Sequence, residues 1–183
     1  PVRFVFADRL RDDARDTIAR LRAMGLGIEL LSGDREDVVR AVADELGIGE
    51  WRAQCPPAAK VQRLKDLATG GRRVLMVGDG LNDAPALAAG HASLSPATAA
   101  DISQTAADMV FQGRSLAPVA EAVAVARAAT RHVKQNFALA LLYNVIAVPI
   151  AVAGFATPLV AAVAMSSSSI LVTLNALRLK LVK

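Results

Sequence analysis

Val77-Gly78-Asp79-Gly80-Leu81-Asn82-Asp83-Ala84-Pro85-Ala86-Leu87 decides the fold of this chain. The apolar run Val74-Leu75-Met76-Val77 leads into it and reads as a buried strand. Two glycines bracket Asp79, and Asp83 follows four residues later. Glycine lets the backbone turn sharply and come close to a ligand. Paired carboxylates there suit a hard cation such as Mg2+, which takes oxygen ligands and commonly shares them with a phosphate. The plainer reading of a bare Gly-Asp-Gly is a tight turn with a solvated Asp and a helix-capping Asn or Asp.

Outward from this stretch, short apolar runs alternate with amphipathic segments from Val2 to about Phe111. Val2–Phe6 and Ile28–Leu31 read as strands, as do the weaker runs Ala92–Leu94 and Met109–Phe111. Asp12–Met24 reads as a helix with Ala14, Ile18 and Leu21 on one face. Glu36–Leu46 is a helix closed by Gly47, and Pro57 opens another that runs to about Leu67 before Gly70-Gly71. Strands alternating with helices of this length predict an α/β domain, a parallel sheet with helices on both faces.

The last third is different. Hydrophobic residues make up 54% of the 183 and aromatics only 4%, so the apolar content is mostly Ala, Val and Leu and points to a membrane part. Residues 1–114 hold 15 Lys and Arg against 16 Asp and Glu, whereas residues 115–183 hold 6 against 1. The basic balance therefore belongs to the C-terminal third. No basic stripe is interleaved with aromatics, which argues against nucleic-acid binding. Ser115 to about Gln135 has a long helical pattern, and the 43 residues from Gln135 to Leu177 contain no Asp, Glu, Lys or Arg. A hydrocarbon core about 30 Å thick takes roughly 20 helical residues. The run therefore predicts two spans, broken near Gly154, Thr157 and Pro158 into a hairpin in the lipid bilayer. Basic residues flank both ends (Arg127, Arg131, Lys134; Arg178, Lys180, Lys183), which predicts cytosolic ends and an outward loop. The expected divisions are a domain at 1–114, a stalk helix at 115–135, two spans within 136–177 and a basic tail at 178–183. Cys55 is the single cysteine, so no intramolecular disulfide framework exists. A start on Pro1 almost directly inside a strand reads as a piece of a longer protein.

Ser32-Gly33-Asp34 follows the strand Ile28–Leu31 and opens a helix. A hydroxyl, a Gly amide and a helix N-terminus at a strand's carboxyl end suit a phosphate, although alone this is also an ordinary N-cap. Lys60 on its helix would be a surface lysine in isolation. In company the strings carry more. Gly78–Leu87 resembles the hinge motif of P-type ATPases, Leu30-Leu31-Ser32-Gly33-Asp34-Arg35 resembles their Thr-Gly-Asp motif with Ser for Thr, and Pro57-Ala58-Ala59-Lys60 resembles their Pro-x-x-Lys. The resemblance implies a haloacid-dehalogenase-like, Rossmann-like phosphotransfer domain followed by a transmembrane helical hairpin. It implies Mg2+ on Asp79 with Asp83, phosphate contacts from Ser32, Gly33 and Asp34, charge neutralisation by Lys60, and a loop held by Asn82 and Asp83. Such sites act by positioning and charge neutralisation. ATP would be the substrate. The acceptor aspartate of the family, in Asp-Lys-Thr-Gly-Thr, is not in these residues. Asp8 follows a strand, but position 10 is Leu where soluble phosphatases of this fold carry a second Asp. Phe6-Ala7-Asp8-Arg9-Leu10-Arg11 resembles instead the Asp-x-Leu-Arg segment where a P-type chain re-enters its phosphorylation domain.

In the spans, Tyr143 and Asn144 lie about 10–12 Å deep at about 1.5 Å per residue. Met165, Ser168 and Ser169 share one helix face, and Ser166 and Ser167 read as packing residues. Intramembrane polar groups often mark a pathway. Tyr-Asn in one span and Met-x-x-Ser-Ser in the next resemble the copper-selective type IB heavy-metal ATPases. A thioether is a soft ligand suited to Cu(I). Gly90-His91-Ala92-Ser93-Leu94-Ser95-Pro96 departs from the commoner wording of the family and is similar to the branch that supplies copper to cbb-type cytochrome oxidase. The resemblance implies a bacterial inner-membrane, multi-pass Cu+ exporter. Its missing parts would be the actuator and nucleotide domains and the earlier membrane helices, with a copper chaperone or acceptor as partner. A pump for Zn2+ or another divalent metal, a membrane-anchored phosphatase using Asp8, and a non-catalytic membrane adaptor remain alternatives.

Overall fold

Helix-compatible and strand-compatible periods alternate through the first two-thirds of the chain, and the backbone follows them. The computed structural model describes residues 10–155 and 157–178 and divides the chain into two units, Pro1–Ala120 and Glu121–Lys183. The strand expected at Val2–Phe6, Asp8, and the tail beyond Arg178 lie outside the described residues.

In the first unit, helix α1 (Ala14–Ala23) precedes strand β1 (Glu29–Leu31), α2 (Glu36–Leu46), β2 (Glu50–Arg52) and α3 (Pro57–Thr69). Strand β3 (Leu75–Val77), a 3-10 turn at Leu81–Asp83, α4 (Ala84–Ala89), β4 (Ala92–Pro96), α5 (Asp101–Ala106) and β5 (Met109–Phe111) follow. The described strands make two parallel pieces: β1 beside β2, and β3-β4-β5 in that order. Parallel pairing demands crossovers, and α2, α4 and α5 supply them. Each crossover strand here is only three to five residues long.

The core seats the site. Leu64 of α3, Met76 of β3, and Ala86 and Leu87 of α4 form one buried cluster, with Val61, Val74, Ala89, Ala106 and Ala107 packed on it. Its side chains come from the elements on both sides of the Gly78–Asp83 loop, so the loop springs from a fixed base. Met76 is buried but Val77 is 36% exposed, so β3 is buried in its middle rather than along its length. At its far end, α4 turns abruptly into β4 at Gly90. A Cβ at that position would lie 2.9 Å from the Ala92 carbonyl oxygen and 3.1 Å from Met76 Cβ, so only glycine fits.

Two further contacts set the frame. Glu29, at the head of β1, accepts from Arg63 of α3 through both its oxygens (Nε to Oε1 2.9 Å, Nη2 to Oε2 3.0 Å) and from Arg52 of β2 at 3.2 Å. Asp13, just before α1, holds the entry to a later helix: its Oδ2 accepts from the Ser115 hydroxyl, from the Leu116 N–H at 2.6 Å and from the Ala117 N–H at 2.9 Å. Partial burial pushes the Asp13 carboxyl up. The Ser115, Ala117 and Leu116 hydrogen bonds outweigh it and leave the group below its ordinary value.

In the second unit the dominant element is α6 (Ala117–Val152), one uninterrupted helix that begins in the first unit and carries Pro149 near its end. The stretch expected as a stalk and the first expected span are thus continuous helix. The helix ends in a glycine cap: Gly154 at φ +84 lets its N–H reach the Ala151 carbonyl and the Phe155 N–H reach Ile150. Thr157 then caps α7 (Pro158–Leu177) by accepting from Val160 N–H. Both helices are long and apolar enough to cross a membrane. At the charged ends of the hairpin, Asn175 Nδ2 donates to Asn136 Oδ1 at 2.8 Å. Tyr143 and Ala147 of α6, and Ala164, Ser168 and Val172 of α7, are half-buried, while most of the intervening positions are exposed.

Removing the Asp13 cap should cost about 1–2 kcal/mol, as loss of a helix N-cap does. Because the folded group titrates below its unfolded value, its contribution is fully present above the unfolded pKa and is lost as pH falls through the folded one. Asp13→Ala should therefore destabilise the first unit at neutral pH and flatten its acid-unfolding curve. A thermal melt of both chains from neutral pH to about pH 3 reads this, and identical slopes would refute it.

Candidate phosphate and metal site

The loop after β3 is held by a lysine from another element. Lys60 sits in the first turn of α3, which Pro57 opens at the first helical position, and is 9% exposed. Its Nζ donates to Asp83 Oδ1 at 2.7 Å, and the two side chains are 11% and 14% exposed. The other oxygen of Asp83 accepts from the Gly80 N–H at 3.3 Å. The Gly80 carbonyl is bound twice, by the Asp83 N–H at 2.9 Å and by the Ser103 hydroxyl at 2.6 Å. Ser103, on α5, is fully buried. Both polar groups of Gly80 and both oxygens of Asp83 are therefore engaged inside the loop.

That closure explains the glycines. A Cβ on Gly78 would stand 2.9 Å from Asp83 Cβ and 3.0 Å from its Oδ2, and one on Gly80 would stand 3.2 Å from that oxygen. Asp83 is tied to Lys60 and cannot withdraw, so Gly78 must stay bare. The contrast with Asp79 is sharp. Its side chain is 65% exposed, and its ion pair with Arg11 is long, at 3.5 Å from Nη2 to Oδ2.

The donor set can be tested against Mg2+ on this basis. Such an ion needs one or two carboxylates, with phosphate and water completing an octahedron. Asp79 offers an exposed carboxylate with a weak competitor. Asp83 has no oxygen free of a donor. The residues thus fit a cation held by Asp79, with Asp83 organising the loop. Lys60 has three donors, and one of them is spent on Asp83. Among the described residues no group of three or more His, Cys, Asp or Glu comes together as a metal cage.

The second loop follows β1. The Ser32 N–H donates to the Arg52 carbonyl, and the Ser32 carbonyl accepts from the Cys55 N–H, so the turn is fastened to β2 and its exit. The hydroxyl of Ser32 donates to Asp34 Oδ2 at 2.6 Å and accepts from the Asp34 N–H at 3.2 Å. The N-cap of α2 is Arg35, which makes no side-chain cap bond. The ordinary reading of Ser-Gly-Asp as a side-chain cap is therefore not what forms: Asp34 turns back to Ser32 and leaves the helix start without a side-chain acceptor. Among the described residues no hydrogen bond joins Ser32, Gly33 or Asp34 to the Asp79 loop. Asn82 lies in the 3-10 turn and is exposed.

In the second unit the five residues expected on the metal path separate into two sets. Tyr143 and Ser168 are half-buried; Asn144, Met165 and Ser169 are exposed, Met165 by 73%. The amide of Asn144 donates to the Ala140 carbonyl of its own helix at 2.9 Å. Ser167, read as a packing residue, donates to the Ala164 carbonyl of its own helix. Stitching is done by Asn136 and Asn175. Arg11, Ser103 and this Asn pair carry little signal in the sequence. Arg11 stands out there only as part of a motif, and nothing local to Ser103 says that its hydroxyl meets Gly80.

Residues 2–91 match a haloacid dehalogenase-like hydrolase family. Over 169 residues the chain is 59% identical to the nitrogen fixation protein FixI of Bradyrhizobium diazoefficiens, which is 92% of this chain and 23% of that protein. It is 40% identical to a copper-exporting P-type ATPase of Bacillus subtilis over 97% of this chain and 22% of that one. The crystal structure of a zinc-transporting PIB-type ATPase superposes with a TM-score of 0.85 at 33% identity, covering 93% of this chain and 28% of that chain. The chain thus spans about a quarter of the length of the curated relatives it matches.

Breaking the Lys60–Asp83 pair from one side strands a buried charge. Lys60→Met should destabilise the first unit by about 3 kcal/mol, and adding Asp83→Asn should recover more than half of the loss. Urea unfolding of the single and double variants decides it, and additive losses would show that the pair is not coupled.

Proposed function

The chain carries a haloacid dehalogenase-like domain and is a homologue of PIB-type ATPases, and from that premise we propose that it forms the cation and phosphate half-site and two cargo-path helices of an ATP-driven Cu+ exporter. The observation that carries the reading is the locked loop: Lys60, Gly80, Ser103 and Asp83 consume one another's bonds and leave Asp79 exposed at the end of β3. Ligands of parallel-sheet folds bind at this end of the strands.

In the proposed cycle, an aspartate elsewhere in a longer protein takes the phosphoryl group from ATP. Asp79 would hold Mg2+, which when bound neutralises phosphoryl charge and orients its oxygens. Lys60 presents its remaining N–H donors to the same charge, fixed in place by Asp83. Ser32 would release Asp34 and turn its hydroxyl to a phosphoryl oxygen, with the Gly33 amide beside it. Asn82 and Asp83 keep the loop in register. Each of these is a positioning or electrostatic contribution, and phosphoryl transfer is catalysed chiefly by such terms.

Tyr143, Asn144, Met165, Ser168 and Ser169 are proposed to line the route of Cu+ across the bilayer. The thioether of Met165 favours a soft monovalent ion. The names of the curated relatives support copper. The superposition on a zinc-transporting ATPase supports the second reading, a divalent cargo on the same scaffold. Residues 1–114 are proposed as the phosphorylation domain and 115–135 as the stalk. Both ends of the hairpin are proposed to be cytosolic in a bacterial inner membrane, with a copper chaperone or acceptor as partner.

ATPase measurements on the longer protein separate these readings. Cu+ should stimulate hydrolysis and Zn2+ should not, and Met165→Ala should lose most of the Cu+ stimulation. Asp79→Ala should lower Mg2+-dependent turnover by at least about 100-fold, the scale of a lost electrostatic group at the reacting centre. Stimulation by Zn2+ alone would replace the copper reading, and full turnover in Asp79→Ala would end the assignment of that carboxylate.

A further inference from the structure

Arg11 bridges two places that the sequence keeps far apart. Its Nη2 lies 3.5 Å from Asp79 Oδ2, while its Nη1 donates to the Arg114 carbonyl at 2.9 Å. Two residues along, Asp13 gathers the Ser115 hydroxyl and the N–H groups of Leu116 and Ala117. The segment 11–13 therefore holds the segment 114–117, where α6 begins, and Arg11 is the member of that clasp that also reaches the cation loop. The geometry suits a guanidinium, whose planar fork meets two acceptors at once; an ammonium is a single point of charge.

The two contacts are unequal. The bond to Arg114 is short, and the pair with Asp79 is long, with its carboxylate exposed. A divalent cation with a bound phosphate makes the stronger claim on the same carboxylate, and two cations cannot crowd one oxygen pair without repulsion. We propose that Arg11 is the resident counter-ion of Asp79, a positioning residue that a divalent cation displaces, and that its displacement is felt through the Arg114 carbonyl at the entry to α6. This rests on the reading of Asp79 as the cation ligand. Because binding free energies are reciprocal, a tighter clasp on residues 114–117 weakens the cation, and the cation loosens the clasp.

The test uses the 183-residue chain in detergent, with Mn2+ as the probe. Bound Mn2+ is counted from the loss of the free-ion electron paramagnetic resonance signal, and hydrogen exchange is followed at residues 114–117. Arg11→Gln removes the charge but keeps an amide donor for the Arg114 carbonyl, and it should tighten Mn2+ binding about two- to fivefold, the range for removing an exposed ion pair. Arg11→Lys keeps the charge without the fork and should stay near the unsubstituted affinity. In the unsubstituted chain Mn2+ should speed exchange at 115–117, and in both variants that response should vanish. Equal or weaker Mn2+ binding in Arg11→Gln overturns the counter-ion, and exchange at 114–117 that ignores Mn2+ overturns the link to α6. Asp79→Ala separates the layers: if it binds Mn2+ as well as the unsubstituted chain, the ligand assignment fails. If it loses Mn2+ while Arg11→Gln is unchanged, only the role of Arg11 fails.

Discussion

A single ion pair between Lys60 and Asp83 organises the first unit. Desolvating a lysine and a carboxylate costs several kcal/mol each, and such a pair holds only when the remaining lone pairs and protons find partners. Here Gly80 provides the second partner for Asp83, and Ser103 and Asp83 together satisfy the Gly80 carbonyl. The pair thus carries its own supporting shell. Every other feature of the loop follows: glycine at 78 because Asp83 is immovable, a short helix α4 that starts directly behind it, and an Asp79 left at the solvent because nothing in the loop needs it.

On the proposed reading, the arrangement solves an electrostatic problem in advance. A phosphoryl group bound there would bring negative charge beside aspartates, and an unlocked Asp83 would repel it. Pairing Asp83 with Lys60 makes that locus neutral and uses one of the ammonium's three donors. Exposed Asp79 is then the one carboxylate of the loop whose charge calls for a cation. The loop at Ser32 works the same way on a smaller scale. Its hydroxyl is stored against Asp34, a bond between exposed groups that costs little to exchange for another acceptor.

Period and punctuation make much of this legible in the sequence. Helix α2 forms over the residues its pattern and Gly47 predict, and β5 over Met109–Phe111. Strand β2 leaves no such trace, because Glu50-Trp51-Arg52 has one apolar residue and gains its place from β1 beside it, not from its own composition. Helix α5 falls inside the Ala-rich stretch 97–107, which reads as helix and sheet cover, but no apolar stripe fixes its bounds. The chemistry of Asp79, Asp83 and Lys60 can be named from spacing and resemblance, but their division of labour cannot. Which carboxylate is locked and which is free depends on a lysine 23 residues away in sequence, and only packing brings that lysine to one of them. Ser103 and Arg11 teach the same lesson at equal and larger separations.

The membrane unit carries a constraint of its own. Paired side-chain amides hold two membrane helices together where apolar side chains cannot, since lipid solvates those equally well. Asn136 and Asn175 therefore fix the hairpin at its charged end, while Gly154 and Thr157 fix it at the loop. Between these points Tyr143, Ala147, Ala164, Ser168 and Val172 are the half-buried positions. Asn144, Met165 and Ser169 are exposed on the hairpin's surface. A soft ion bound by a thioether needs further ligands close by. With Met165 73% exposed, most of the space around its sulfur lies outside this unit. Any Cu+ route that uses Met165 must be closed by helices beyond α6 and α7, so the hairpin can contribute one wall of a pathway and not the pathway itself.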